Sequence, residues 1–246
     1  GSVVSALLLA VLLTLRPENN AALRAQYENS RESAKESQTP TLRDILGVFR
    51  IFDVWKIIAF IIMSWTFYVV FDQQMFPEFF TRFFDTPAEG QQAYGILNSI
   101  QVFFEFIMMA LVPILMKKIG GRRTILLGCC IMIVRIGGCS LVTNPLGVAA
   151  VKLLHAPESA IFILAIFRYF TLHFDTRISA TLYMVGFQIA AQIGQIIFST
   201  PMGALRDQIG YQSTFTVIAG IVVVAGIYAF FILRKDPVEE EPKLAA

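Results

Sequence analysis

The chain has 246 residues, 56% of them hydrophobic, and 20 Lys and Arg set against 18 Asp and Glu leave a formal net charge of +2. Only 15% of the residues are charged, too few for an ordinary soluble surface, and the near-neutral balance gives nothing in favour of a nucleic-acid partner. Residues 178–205 and 208–233 are uncharged, and each exceeds the roughly 20 residues needed to cross a hydrocarbon core, so the expected class is an all-α integral membrane protein.

In chain order, Ser2–Leu15 is apolar but only 14 residues long, with no basic stretch before it, and reads as the end of a truncated transmembrane helix (1–15). Residues 16–42 are polar and have the composition of a flexible linker. Thr41 before Asp44, then Ile45, Val48, Phe49 and Phe52, suggest a short amphipathic interfacial helix that closes this linker region (16–52). Six spans follow within 53–233, at about 54–76, 93–116, 124–143, 145–167, 178–201 and 212–233, and residues 234–246 form a tail. Cys129, Cys130 and Cys139 share one apolar stretch with no ligand spacing, which supports neither a disulfide framework nor a metal site.

Fifteen Lys and Arg fall in the linker, in loops 117–123 and 168–177 and in the tail, whereas the alternate loops hold only Arg82 and Arg206. By the positive-inside rule the linker and the C-terminus are expected in the cytoplasm. The turn carrying Lys117, Lys118, Gly120, Gly121, Arg122 and Arg123 serves at least as an orientation signal. Gly137, Gly138, Gly186, Ala190, Ala191 and Gly194 are small residues suited to close helix packing.

Against this apolar background stand Asp72, Glu105, Arg135, Lys152, His155 and Glu158. Lys152, His155 and Glu158 follow one another at steps of three, which confines them to a helical face about 120° wide. Near a span end such groups snorkel to the headgroups. Three acids and two permanent bases at membrane depth, however, neutralise one another only by converging, because a lone charge there costs at least about 2.5–3.5 kcal/mol. A shared functional cavity is therefore expected.

The run from Phe67 to Gln74, Ile131–Ile136 around Arg135, Val151–Glu158 and Ile178–Thr181 resembles the C-terminal half of the oligosaccharide/proton symporters, a family of the major facilitator superfamily. The match keeps its register over nearly the whole chain. It implies the C-terminal six-helix half of a twelve-helix transporter, preceded by the end of the sixth helix and the cytoplasmic linker between halves. Tyr68-Val69-Val70-Phe71-Asp72, Ala191 where lactose carriers have an intramembrane Lys, and Gln101-Val102-Phe103-Phe104-Glu105 lean towards the sucrose-carrying members. Losing both members of one charge pair is physically economical, since losing one alone would strand the other.

The resemblance assigns proton coupling to Glu158, Arg135 and His155, an ion pair to Asp72 and Lys152, and sugar contacts to Gln101, Glu105 and Tyr68. The chemistry agrees, because burial favours a neutral carboxyl group and an approaching guanidinium favours its ionised form. One departure is that proline precedes the acid here, as Pro157, where the family commonly has it after, and Glu158 is followed by Ser159-Ala160. Pro157 removes the bond to the Leu153 carbonyl, so a kink or loosening is expected at the proton site, Glu158.

The resemblance thus implies a proton-coupled symporter in a bacterial cytoplasmic membrane, not an enzyme, with no cofactor or metal. Its partners would be an oligosaccharide, protons, the lipid bilayer and a missing N-terminal six-helix half. Sucrose is the first substrate expectation, with raffinose, melibiose and lactose behind it. The alternatives are an exporter or antiporter on the same fold and an inactive half-transporter fragment.

Overall fold

The computed structural model describes Gly47 and residues 51–236, apart from Asp175 and the side chains of Thr176 and Arg177. The truncated helix at 1–15, the linker and the amphipathic helix read from its end lie outside the described residues, save for Gly47 and the boundary residues Ile51 and Phe52. Among the described residues six helices are long and apolar enough to cross a membrane: α1 (Phe52–Thr81), α2 (Pro87–Ile119), α3 (Gly121–Leu141), α4 (Pro145–His173), α5 (Ile178–Ile209) and α6 (Tyr211–Ile232). The protein is a multi-pass, all-helical membrane protein.

Several helices outrun their apolar cores because local signals set their ends. Thr86 accepts the Glu89 N–H at 3.2 Å with Pro87 in the first turn, which starts α2 six residues before its expected span. Asn144 caps α4 in the same way, accepting from the Gly147 N–H at 2.7 Å, again with Pro in the first turn. Between α2 and α3, and between α5 and α6, a single glycine makes the connection. Gly120 and Gly210 adopt φ of 84° and 83°, a region that a side chain disfavours.

Three spans depart from a regular α-helix. α1 widens into π-helical turns at Ile62–Thr66 and Val70–Met75, the second holding Asp72, and α5 does so at Met184–Ile189. Such turns insert a residue into the helical repeat and re-aim the side chains that follow. α4 is divided into Pro145–Lys152 and His155–His173. At the division the Leu153 carbonyl accepts from Ala156 N–H at 3.2 Å, a tighter bond in place of the one that Pro157 cannot make. The continuous face expected for Lys152, His155 and Glu158 is therefore a broken one, with Lys152 ending one segment and His155 beginning the next.

The core is largely aromatic. Phe71 meets Phe215 edge-on with ring centroids 4.8 Å apart, and Trp65 packs on Tyr68, Phe162 and Phe187. A Cβ at Gly194 would come within 2.4 Å of Thr66 Oγ1, and one at Gly128 within 2.7 Å of Ile161, so both glycines set helix–helix distances. Gly138 and Gly186 are looser, with a Cβ 3.1 Å from Val151 and 3.3 Å from Phe170, while Gly137 has nothing within 4 Å among the described residues.

Each end of the bundle is tied by polar contacts. At one, Arg82 and Arg206 both reach Glu78, at 3.1 and 3.4 Å, and both guanidiniums lie over the Tyr211 ring. The two basic residues on the sparsely basic side are thus gathered on one acid. At the other, Arg234 pairs with Asp53 and its backbone N–H donates to Tyr169 Oη at 3.1 Å. Asp236 there accepts from the Gly121 and Arg122 N–H groups at 2.5 and 3.4 Å, which caps α3.

Candidate functional site

Four helices deliver charge to one place. Arg135 of α3 is fully buried and donates from Nε and Nη2 to the two oxygens of Glu158 on α4. Its Nη1 donates to Asp72 Oδ1 of α1 at 2.7 Å. Lys152 Nζ reaches the same oxygen at 2.6 Å. Two cations and two carboxylates close into a neutral set, the condition under which such groups are tolerated out of water. The rings of Phe71 and Tyr68 cover the guanidinium at 4.9 and 5.2 Å.

His155 stands between this set and a third acid. Its Nδ1 is 3.7 Å from Asp72 Oδ1 and its Nε2 is 3.9 Å from Glu105 Oε2 on α2. The Tyr68 hydroxyl lies 3.0 Å from Nδ1 and 3.3 Å from Nε2, with the two rings stacked. Ser159 donates to the other oxygen of Glu105. The Glu105 side chain is 21% exposed, whereas that of Glu158 is fully sealed, so the acidic groups run from a partly open edge to a closed interior. Among the described residues no group of His, Cys, Asp and Glu could hold a metal ion.

An arginine shared by two intramembrane carboxylates, with a histidine leading towards a third, sits within a sequence that matches the family model for the LacY proton/sugar symporter over residues 1–242. The chain belongs to this family. It is 40% identical to the sucrose permease of Escherichia coli over 192 residues, 78% of this chain and 46% of that one. With the raffinose permease of Escherichia coli the identity is 34% over 237 residues, 96% and 55% of the two chains. With the lactose permease of Klebsiella oxytoca it is 28% over 234 residues, 93% and 54% of the two chains. The chain spans about half the length of these relatives. The family is one of permeases and not of enzymes.

Within this LacY-type framework, seven of the eight residues singled out in the sequence lie in one connected cluster. Gln101, the eighth, is 3% exposed on α2 one turn before Glu105, and its Oε1 is buried with no hydrogen-bond partner among the described residues. Asp72 does more than pair with Lys152, since it also holds Arg135. Tyr68 has its hydroxyl within hydrogen-bonding distance of both His155 ring nitrogens. Sequence reasoning missed Ser159 as a partner of Glu105. The available signal was a hydroxyl residue directly beside the acid within an apolar span. Ala191 is 1% exposed, and its carbonyl accepts from Thr66 Oγ1 at 3.5 Å, so it is a packed position between α1 and α5.

Proposed function

We propose that this chain forms the C-terminal half of a proton-coupled oligosaccharide symporter of the bacterial cytoplasmic membrane, with sucrose as the first substrate. Glu158 is the group that takes and releases the proton. Ionised, it is held by Arg135; neutral, it leaves the guanidinium to Asp72, so Arg135 stays anchored through the cycle. His155 couples this site to the sugar, seated by Tyr68 and facing Glu105. Gln101 offers its unpartnered carbonyl oxygen to a sugar hydroxyl, and Glu105 accepts a second.

The observation that carries the reading is the fully buried Glu158 on an arginine with a second carboxylate. The linker and C-terminus lie in the cytoplasm in this reading, on the strength of the basic loops. An N-terminal six-helix half supplies the opposite wall, and the two halves rock about a midplane site. One proton carried inward releases about 2.3 kcal/mol per 100 mV, enough for roughly fiftyfold accumulation.

The test pairs this chain with a matching N-terminal half and follows labelled sucrose and external pH in intact cells. Glu158→Gln is expected to keep sugar binding and sugar exchange but to abolish accumulation, because the amide imitates the neutral acid and cannot ionise. Sugar-driven proton entry with continued accumulation in Glu158→Gln would remove Glu158 from the coupling role.

A further inference from the structure

Two cavities at the Asp236 end of α3 and α6 share Leu126 and Phe230, and they differ sharply in character. The outer one, about 420 Å³, is rimmed by Arg122, Arg123 and Lys235. The inner one, about 440 Å³, is an uncharged groove between the two helices, lined by Cys129, Cys130 and Ile133 on one side and Val223, Gly226 and Ile227 on the other. On α3, positions 126, 130 and 133 fall within about 60° of one another and opposite positions 128, 132 and 135, given about 100° per residue. Arg135 and the ion cluster occupy that opposite face, so the groove opens on the outer flank of the bundle, at membrane depth.

We propose that this composite groove is a binding site for an anionic phospholipid, with the headgroup phosphate on Arg122, Arg123 and Lys235 and an acyl chain between α3 and α6. The inference rests on the chain spanning a membrane and is independent of the sugar and proton assignments. Arg122 is positioned for the headgroup: its Nη2 is fixed on the Phe230 carbonyl at 2.5 Å, while its Nε is buried with no hydrogen-bond partner among the described residues. Arg123 and Lys235 are exposed. Among the described residues Asp236 is the one acid on the rim, and it is committed to the Gly121 and Arg122 N–H groups, so the described rim carries an excess of positive charge and no free carboxylate for the cationic part of a zwitterionic headgroup. The depth of the groove comes from Gly226, where a Cβ would meet Cys129 Cβ at 3.7 Å and Ile133 Cδ1 at 3.9 Å. A Cβ there makes only ordinary van der Waals contacts, and a larger side chain extending from it would compete with an acyl chain for the groove.

The experiment uses the chain purified in dodecylmaltoside micelles with equal amounts of phosphatidylglycerol and phosphatidylcholine, and native mass spectrometry to count the lipid retained. Phosphatidylglycerol adducts are expected to exceed phosphatidylcholine adducts at least about fivefold, the worth of one cation at a membrane surface. The preference should fall to near unity in Arg122→Gln/Arg123→Gln/Lys235→Gln. It should also weaken several-fold in Gly226→Leu, which keeps every charge and removes the groove, and in Arg123→Gln, whose exposed side chain makes misfolding no explanation. Cys130 lines the groove and is exposed, whereas Cys129 and Cys139 are buried, so phosphatidylglycerol should slow maleimide modification of Cys130. Equal adducts of the two lipids, or a preference that survives the triple substitution, would overturn the site. Displacement of the lipid by 10 mM inorganic phosphate, with Gly226→Leu unchanged, would equally overturn it in favour of a bare anion site.

Discussion

Asp72 and Lys152 form a pair whose members are unequally dependent on one another, and that inequality is measurable. Asp72 Oδ1 has two cationic partners, Arg135 at 2.7 Å and Lys152 at 2.6 Å. Lys152 is 1% exposed, and Asp72 is the carboxylate that neutralises it; the Phe76 ring also lies 4.9 Å from Nζ. Lys152→Gln leaves the carboxylate on Arg135, and Glu158, the proton carrier of the proposed cycle, can neutralise the remaining negative charge, so the change should cost about 1.5–3 kcal/mol, the range for one hydrogen bond to a charged group. Asp72→Asn strands a buried ammonium and should cost about 3–5 kcal/mol. Combining the two removes the stranded charge, so the double substitution should be roughly 1–3 kcal/mol more stable than the sum of the singles, and no worse than Asp72→Asn alone. Unfolding of the purified chain in mixed micelles with rising dodecyl sulfate gives all three values. Equal losses for the singles, or an additive double, would show that Arg135 does not back up Asp72 as the geometry requires.

The remaining expectations are simpler. Gly194→Ala should destabilise by about 1–3 kcal/mol because its methyl would meet Thr66, with partial recovery when combined with Thr66→Ala; an unchanged unfolding midpoint would place the two helices further apart. Gly120→Ala, at φ 84° and ψ 159° in a region nearly confined to glycine, should cost about 1–3 kcal/mol, whereas Gly137→Ala in open space should be neutral or stabilising; a reversed order in the same unfolding assay would contradict the backbone described. Ser159→Ala leaves Glu105 one donor short and should cost about 1–3 kcal/mol, with Ser159→Thr restoring most of it, and the comparison fails if alanine and threonine behave alike.

What the sequence displayed was what composition and length can encode. Six helices were legible because lipid demands apolar residues over a fixed distance, and the loop charges marked their ends. The site was legible as a set of residues because charge is so rare in the spans that each instance stood out. Its wiring was not. The bond from Arg135 to Asp72 joins residues 63 positions apart, and no local pattern records which of two carboxylates a guanidinium will face. The π-helical turn that carries Asp72 leaves no mark in composition either, since the apolar residues around it would suit a regular helix equally well. Pro157 announced a loosened helix, but the division fell on Leu153 and Leu154, because the missing donor is felt one turn earlier, at the carbonyl it would have met. Asp236 looked like part of a polar tail. Its role as a cap depends on where the chain returns after α6.

The single-residue links at Gly120 and Gly210 bear on how the bundle can move. A connection that short stores no slack, so α2 with α3, and α5 with α6, must travel as stiff hairpins whose tips swing but cannot slide apart. Any change of shape has to be absorbed where the backbone already departs from a regular ladder: at Leu153–Leu154 in α4 and at the wide turns of α1 and α5. Asp72 occupies one of those compliant places, and Lys152 and His155 flank another. Three of the clustered polar residues therefore sit at the joints, while Arg135 and Glu105 stand on uninterrupted helix, so a change in what Asp72 pairs with would act directly on backbone that can bend.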